Sequence, residues 1–171
     1  MKLDNLKCIN SNINIDEYIT NRDIVKDNME YPDWLGYFSK EDLCNMLDNN
    51  TKIWMYYKDN EFACSMMLIP SIKKDLVKFG LDNLDYEKVV DYGPMFVNPK
   101  YVGNGLQYQM LEVLDKYSRE LGYEYAISTI HPDNVYSIRN LVKDGFVLVG
   151  TKEFKRGVRN VYMKELKYYV V

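Results

Sequence analysis

The sequence predicts a mixed α/β domain, a mostly antiparallel sheet flanked by helices with a parallel strand pair at its centre. Three observations predict it. The β-rich runs KIWMYY and FACSMMLI are separated by turn formers and read as an antiparallel hairpin. A strand at 89–97, a long amphipathic stretch at 103–121 and a strand at 123–130 follow one another. Strand–helix–strand order needs a crossover, and a crossover gives a parallel pair. The tail adds FVLVGTKEF and VRNVYMKELKYY, two strands joined by a turn at Lys155-Arg156-Gly157. With 171 residues, 47% apolar and 27% charged, and with no repeats, the chain is expected to be one globular domain spanning 1–171.

The elements follow in order. Residues 15–29 place Ile15, Ile19 and Val25 on a helical stripe, which Tyr31-Pro32 ends because a residue before proline disfavours helix. Ser39 with Asp42 three residues on resembles a capping box for a helix carrying Leu43, Met46 and Leu47. Lys58-Asp59-Asn60-Glu61 turns the hairpin. The insertion 71–88 begins as a helix with Ile72, Leu76, Val77 and Phe79, stopped by Gly80. Gly93-Pro94 breaks the strand at 89–97, since proline has no N–H to give a ladder. In the long helix Leu106, Met110, Val113, Leu114, Tyr117 and Leu121 form the inner stripe, with Glu112/Lys116 and Asp115/Arg119 as i,i+4 pairs outside and Gly122 as the stop. His131-Pro132-Asp133 then leads to a short helix at 134–144 with Ile138, Leu141 and Val142 apolar and Gly145 beyond its end.

Composition excludes several function classes. A net charge of -3 argues against a nucleic-acid footprint. The N-terminal MKLDNLKCINSNINIDEYI has no apolar core of a signal peptide, and no run approaches a membrane span, so no membrane partner is expected and the location is read as cytoplasmic. Cys8, Cys44 and Cys64 are an odd set without C-x-x-C spacing and read as buried thiols. A single histidine, His131, excludes a histidine-rich metal site, and no metal is predicted.

The informative segment is VNPKYVGNGL. A strand ends at Val97, Pro99 turns the chain, and Gly103-Asn104-Gly105 leads into the long helix. Glycines there let backbone N–H groups converge at the positive end of the helix dipole, an anion site without basic side chains. Tyr108 stands where a dinucleotide fingerprint needs its third glycine, and the Lys-Ser/Thr of a P-loop is missing.

Lys100-Tyr101-Val102-Gly103-Asn104-Gly105, followed by Asn134, Ser137 and Gly145-Phe146, resembles the GNAT superfamily of acyl-CoA-dependent N-acyltransferases. That family carries (Gln/Arg)-x-x-Gly-x-(Gly/Ala) at a strand-to-helix turn and an Asn, a small residue and Gly-Phe downstream. The specific match covers residues 88–146; the flanking elements agree in order only. The resemblance implies a GNAT-like fold and acetyl-CoA as co-substrate. The backbone of Met95, Phe96 and Val97 would meet the pantetheine arm, and the amides of Val102, Gly103, Asn104, Gly105, Leu106, Gln107 and Tyr108 would cradle the pyrophosphate. Asn134 and Ser137 would lie on the arm's other side, and the broken strand would open the slot between them.

The implied reaction is direct acetyl transfer to a primary amine of a small molecule or peptide, with no covalent enzyme intermediate. Such a transfer benefits from a base and an acid with pKa values near neutrality. Asp91 matches the place where some members hold a base, and its other reading is a solvated edge acid. Leu141 stands where many members carry the tyrosine that protonates the thiolate, which leaves the general acid unassigned; Tyr136, on the first turn of the short helix, reads either as a proton donor to the thiolate or as a packing residue. His131 reads as a proton relay or as a plain loop residue. Tyr31, Trp34, Tyr37 and Phe38, with Glu30 and Asp33, read either as an acceptor-side surface or as core caps. The alternative function is a non-catalytic acyl-CoA sensor, and a third reading is an interaction domain whose glycine turn is only structural. The acceptor and the oligomeric state, a homodimer among the options, stay open.

Overall fold

The computed structural model describes residues 1–167. Its strands are β1 (Lys7–Ile9), β2 (Lys52–Lys58), β3 (Glu61–Pro70), β4 (Val89–Tyr92), β5 (Phe96–Val97), β6 (Tyr125–Ile130), β7 (Val147–Phe154) and β8 (Gly157–Glu165). Its α-helices are α1 (Ile15–Asp27), α2 (Lys40–Asp48), α3 (Lys73–Phe79), α4 (Leu106–Glu120) and α5 (Val135–Lys143). Tyr168 and Tyr169, the end of the last predicted strand, lie outside the described residues. The chain gathers into two compact units, Met1–Ile69 with Gly93–Met110 and Pro70–Tyr92 with Leu111 onward. The architecture is mixed α/β, mostly antiparallel, with a parallel pair and flanking helices.

In the first unit β1, β2 and β3 pair antiparallel in that order and β5 adds to β3. The hairpin closes on Asp59 and Asn60, at φ 49° and 65°, between paired Lys58 and Glu61. Two left-handed residues make the mirror-image turn whose twist suits a hairpin, and Asp and Asn tolerate that conformation best after glycine. Asn14 caps α1, and the predicted capping box of α2 is complete, with Ser39 Oγ accepting from Asp42 N–H at 3.1 Å and Asp42 accepting from Ser39 N–H at 3.0 Å. Both helices lay an apolar face on the sheet: Tyr18, Val25 and Leu43 pack with Ile53, Met55, Met67 and Phe96.

β1 was not legible in advance. Three residues carry too little alternation to register, and the strand exists because Lys7, Cys8 and Ile9 find Tyr57, Tyr56 and Met55 as partners. The cysteine reading needs correction, since only Cys64 is buried while Cys8 and Cys44 are exposed on a sheet edge and a helix surface.

In the second unit β4 runs parallel to β6, β6 antiparallel to β8 and β8 antiparallel to β7, so the crossover rule holds. Leu76, Leu81, Val89, Ile127 and Val161 form its apolar cluster. α3 ends where predicted, at Gly80 with φ 74°. Ile72 and Val77, however, are 53% and 56% exposed, so its buried face is narrower than the sequence stripe.

The long helix also departs from expectation. Leu121 is half exposed, and Asp115, expected outside, is 4% exposed. Tyr92 donates to Asp115 at 2.7 Å, and Lys164 bridges Asp115 and, at 3.0 Å, Asp144. A carboxylate tolerates this burial because an ammonium and a phenol replace its water. Burial and the neighbouring Asp115 carboxylate push the Asp144 carboxyl well above its ordinary range, against the pull of Lys164. No helix among the described residues is long and apolar enough to cross a membrane.

Candidate functional site

The site begins at the strand break. Gly93, Pro94 and Met95 belong to no ladder, and Gly93 N–H donates to Met67 C=O at 3.0 Å. A Cβ on Gly93 would stand 2.8 Å from Ile69 Cδ1 and 3.2 Å from Met67 Sδ, so a side chain here would force the ends of Ile69 and Met67 to shift where the chain lies against β3. β5 then pairs Phe96 with Ser65 and Val97 with Cys64, and among the described residues no strand takes its other edge. Asn98 N–H donates to Ala63 C=O at 2.8 Å. Hydrogen-bonded residues alternate along an antiparallel strand, so Phe96 and Asn98 face β3 while the N–H and C=O of Val97 face away.

A 3₁₀ turn at Pro99–Tyr101, capped by Asn98, lifts the chain into the glycine turn. Gly103 and Gly105 hold φ 89° and 71°, and a Cβ on Gly103 would meet no atom within 4 Å. These glycines are therefore required by backbone conformation, and the space beside Gly103 is open. The first i,i−4 bond of α4 runs from Gln109 N–H to Gly105 C=O at 3.2 Å, so the amides of residues 103–106 lie ahead of the helical ladder. Val102, Gly103, Asn104 and Gly105 are exposed, whereas the Leu106 and Gln107 side chains are buried and Tyr108 is half-buried. The helix is anchored inward and its leading amides sit at the surface, where the dipole is positive.

Side chains from inside and outside the motif hold this turn. Asn104 donates from Nδ2 to Tyr101 C=O at 3.0 Å. Gln109 accepts the Leu3 N–H at 2.8 Å and donates to Met1 C=O at 3.2 Å, tying the N-terminal segment to α4. Lys100, the basic residue at the motif's first position, is paired with Glu61 at 2.9 Å, and the Tyr101 hydroxyl donates to Glu61 at 2.5 Å. Those two partners hold the Glu61 carboxyl below its ordinary range. No sequence signal marks Glu61, which reaches the turn only through the hairpin.

The remaining candidates lie in the second unit. Asp91 is half-buried on β4, level with Ile127 of β6. Burial, reinforced by the Asp75 carboxylate and opposed by Arg156, pushes its carboxyl up to about 7. That is far from a solvated edge acid. Asn134 caps α5, its Oδ1 accepting from Ser137 N–H at 3.3 Å, so the motif pair Asn134 and Ser137 sets where that helix starts. Tyr136, on the first turn of α5, is 52% exposed. His131 Nδ1 accepts the Asp133 N–H at 3.1 Å, which uses the lone pair that a relay through that nitrogen would need.

The architecture resembles known structures. An acetyltransferase of the GNAT family from Streptococcus pneumoniae superposes with TM-score 0.69 at 13% identity, over 94% of this chain and 100% of that one. The ribosomal-protein-S18-alanine N-acetyltransferase from Escherichia coli gives TM-score 0.68 at 11% identity, over 95% and 96%. AAC(6')-Ib in complex with paromomycin and acetyl-CoA gives 0.67 at 12%, over 94% and 93%. This is the GNAT acetyltransferase fold. No protein-family model matches the sequence, and no curated protein sequence matches it.

Within this GNAT fold Leu141 is fully buried, a core side chain that takes no part in any open site. The aromatic cluster at 31–38 divides between its two readings. Leu35 and Phe38 pack on the core, while Tyr31 stacks on Trp34 at 4.4 Å and stays 49% exposed. Tyr37 is exposed but already carries Arg22 at 4.5 Å and Lys26 at 5.1 Å over its ring, so its π-face is taken by cations of its own chain.

Proposed function

We propose that residues 1–171 work as one N-acetyltransferase domain that moves the acetyl group of acetyl-CoA directly onto a primary amine of a small molecule or peptide. The observation that carries this reading is the open glycine turn, with two left-handed glycines presenting backbone amides at the start of α4. Such a turn suits a pyrophosphate, because it offers donors and a positive dipole without a side chain to fill the space. The outward N–H and C=O of Val97 suit the amide groups of the pantetheine arm, with Met95 and Phe96 beside it. Two neighbours support both halves of the reaction: one was solved with acetyl-CoA and paromomycin, another is an S18-alanine N-acetyltransferase.

The chemistry requires an ammonium to lose a proton before its nitrogen attacks the thioester carbonyl. Asp91, with its carboxyl raised to about 7, is half-ionised near neutrality and is the base in this reading. The new C–N bond forms as the C–S bond breaks, and the departing thiolate takes a proton from the Tyr136 hydroxyl. Thiol release from acetyl-CoA across polyamines, amino acids, aminoglycosides and short peptides tests the reading. Release with one class names the acceptor, and Tyr136→Phe should then slow release without weakening acetyl-CoA binding.

A leucine at position 141, where the family resemblance leads to a protonating tyrosine, favours a second reading, a non-catalytic acyl-CoA sensor. Acetyl-CoA binding with no thiol release for any acceptor would decide for the sensor. No binding at all would refute both.

A further inference from the structure

A cleft of about 600 Å³ opens in the first unit, lined by the N-terminal segment, the turn between β2 and β3, and the glycine turn. It brings together Lys2, Lys7 and Lys58 with Asn5, Asn60 and Asn104. None of the three lysines forms an ion pair with a carboxylate among the described residues. Asp59 is the one acid in the lining, and Glu61, at the same turn, is already held by Lys100 and Tyr101. In a chain with 25 acids and 22 bases, three lysines without a carboxylate ion pair, of which Lys58 rests 5.7 Å from the Tyr101 ring centroid, line one concave surface and make a local inversion of charge.

The donors present define the ligand. Three ammonium groups and neighbouring amides supply N–H in many directions, which fits a compact tetrahedral dianion; a planar carboxylate is better served by the fork of an arginine. Asn104 belongs to the glycine turn, so the cleft adjoins the backbone cradle while drawing its charge from other segments. We propose that this cleft is a binding site for a phosphate monoester, separate from the cradle at residues 102–108. The phosphate has two sources: the 3′-phosphate of coenzyme A, which rests on the acetyl-transfer reading above, or an independent phosphorylated ligand.

The test is calorimetric titration of the full chain at low salt with inorganic phosphate, acetyl-CoA and acetyl-dephospho-CoA. Wild type is compared with Lys7→Gln/Lys58→Gln and with Lys116→Gln, an exposed charge change on α4 at a residue that does not line the cleft. All three lysines are on exposed positions, and melting curves establish that each variant folds. Each removed ammonium should weaken phosphate about fivefold, the factor a single exposed charge contact supplies, while Lys116→Gln leaves it unchanged. If acetyl-CoA loses the same factor and its dephospho form loses nothing, the phosphate is the cofactor's own. If both CoA compounds are indifferent and inorganic phosphate alone is lost, the ligand is independent. The proposal is overturned if wild type neither binds phosphate nor distinguishes the two CoA compounds, or if Lys116→Gln loses as much as the double variant. Failure of the acetyl-transfer reading looks different: neither CoA compound binds wild type, while phosphate still does so through Lys7 and Lys58.

Discussion

Asp91→Asn separates burial from chemistry in a single substitution. The wild-type carboxyl ionises near 7 in the folded chain, held there by burial and Asp75, against about 3.9 when unfolded. Between those values the folded state binds more protons than the unfolded state, so this group makes stability fall as pH rises from about 4 to about 7. Three pKa units correspond to about 4 kcal/mol. Asp91 is only half-buried, so screening by water reduces the figure to about 2 kcal/mol. Asparagine keeps the shape and removes the charge. At pH 8 the variant should melt higher by about 4–8 °C, the shift expected for a chain of 171 residues. Near pH 4 the two proteins should melt together. Melting followed by circular dichroism from pH 4 to 9 measures this directly. Parallel curves for the two proteins, offset by a constant, would refute the raised carboxyl. In the acetyl-transfer reading the same variant loses about 10²–10⁴ in rate, and the wild-type rate rises through pH 7 as the base ionises.

Other outcomes follow from the same structure. Gly103→Ala meets no atom but must hold φ 89°, costing about 1–2 kcal/mol; in the acetyl-transfer reading acetyl-CoA affinity measured by calorimetry should fall about tenfold or more because the methyl group enters the space proposed for the pyrophosphate. Lys164→Met leaves Asp115 and Asp144 buried without their ammonium, and denaturant melts should show a loss of about 3–5 kcal/mol. Adding Asp144→Asn should recover part of that loss. Gly93→Ala drives a methyl to 2.8 Å from Ile69 Cδ1, with a loss of about 1–3 kcal/mol. Ile69→Val deletes that carbon, so the double variant should be more stable than Gly93→Ala alone.

Much of this molecule is written in local patterns. The glycine turn before α4, the capping box of α2, the Asp59-Asn60 hairpin turn and the break at Gly93-Pro94 each depend on a few consecutive residues whose backbone preferences leave little choice. The parallel pairing of β4 with β6 followed from connectivity alone. What escaped sequence reading depends on partners far along the chain. β1 exists because β2 accepts it, Glu61 holds Lys100 across 39 positions, and Gln109 grips Leu3 across 106. Asp115 reads as an outer i,i+4 residue until Tyr92 and Lys164 arrive to replace its water. Asp91 likewise acquires its raised carboxyl only from burial on β4, reinforced by Asp75 of α3 and opposed by Arg156 in the turn before β8. Chain stereochemistry acts between neighbours, so the sequence determined the glycine turn and most of the elements. Desolvation and charge act through space, so only the tertiary structure decided which acids are buried and which lysines stand around the cleft without a carboxylate.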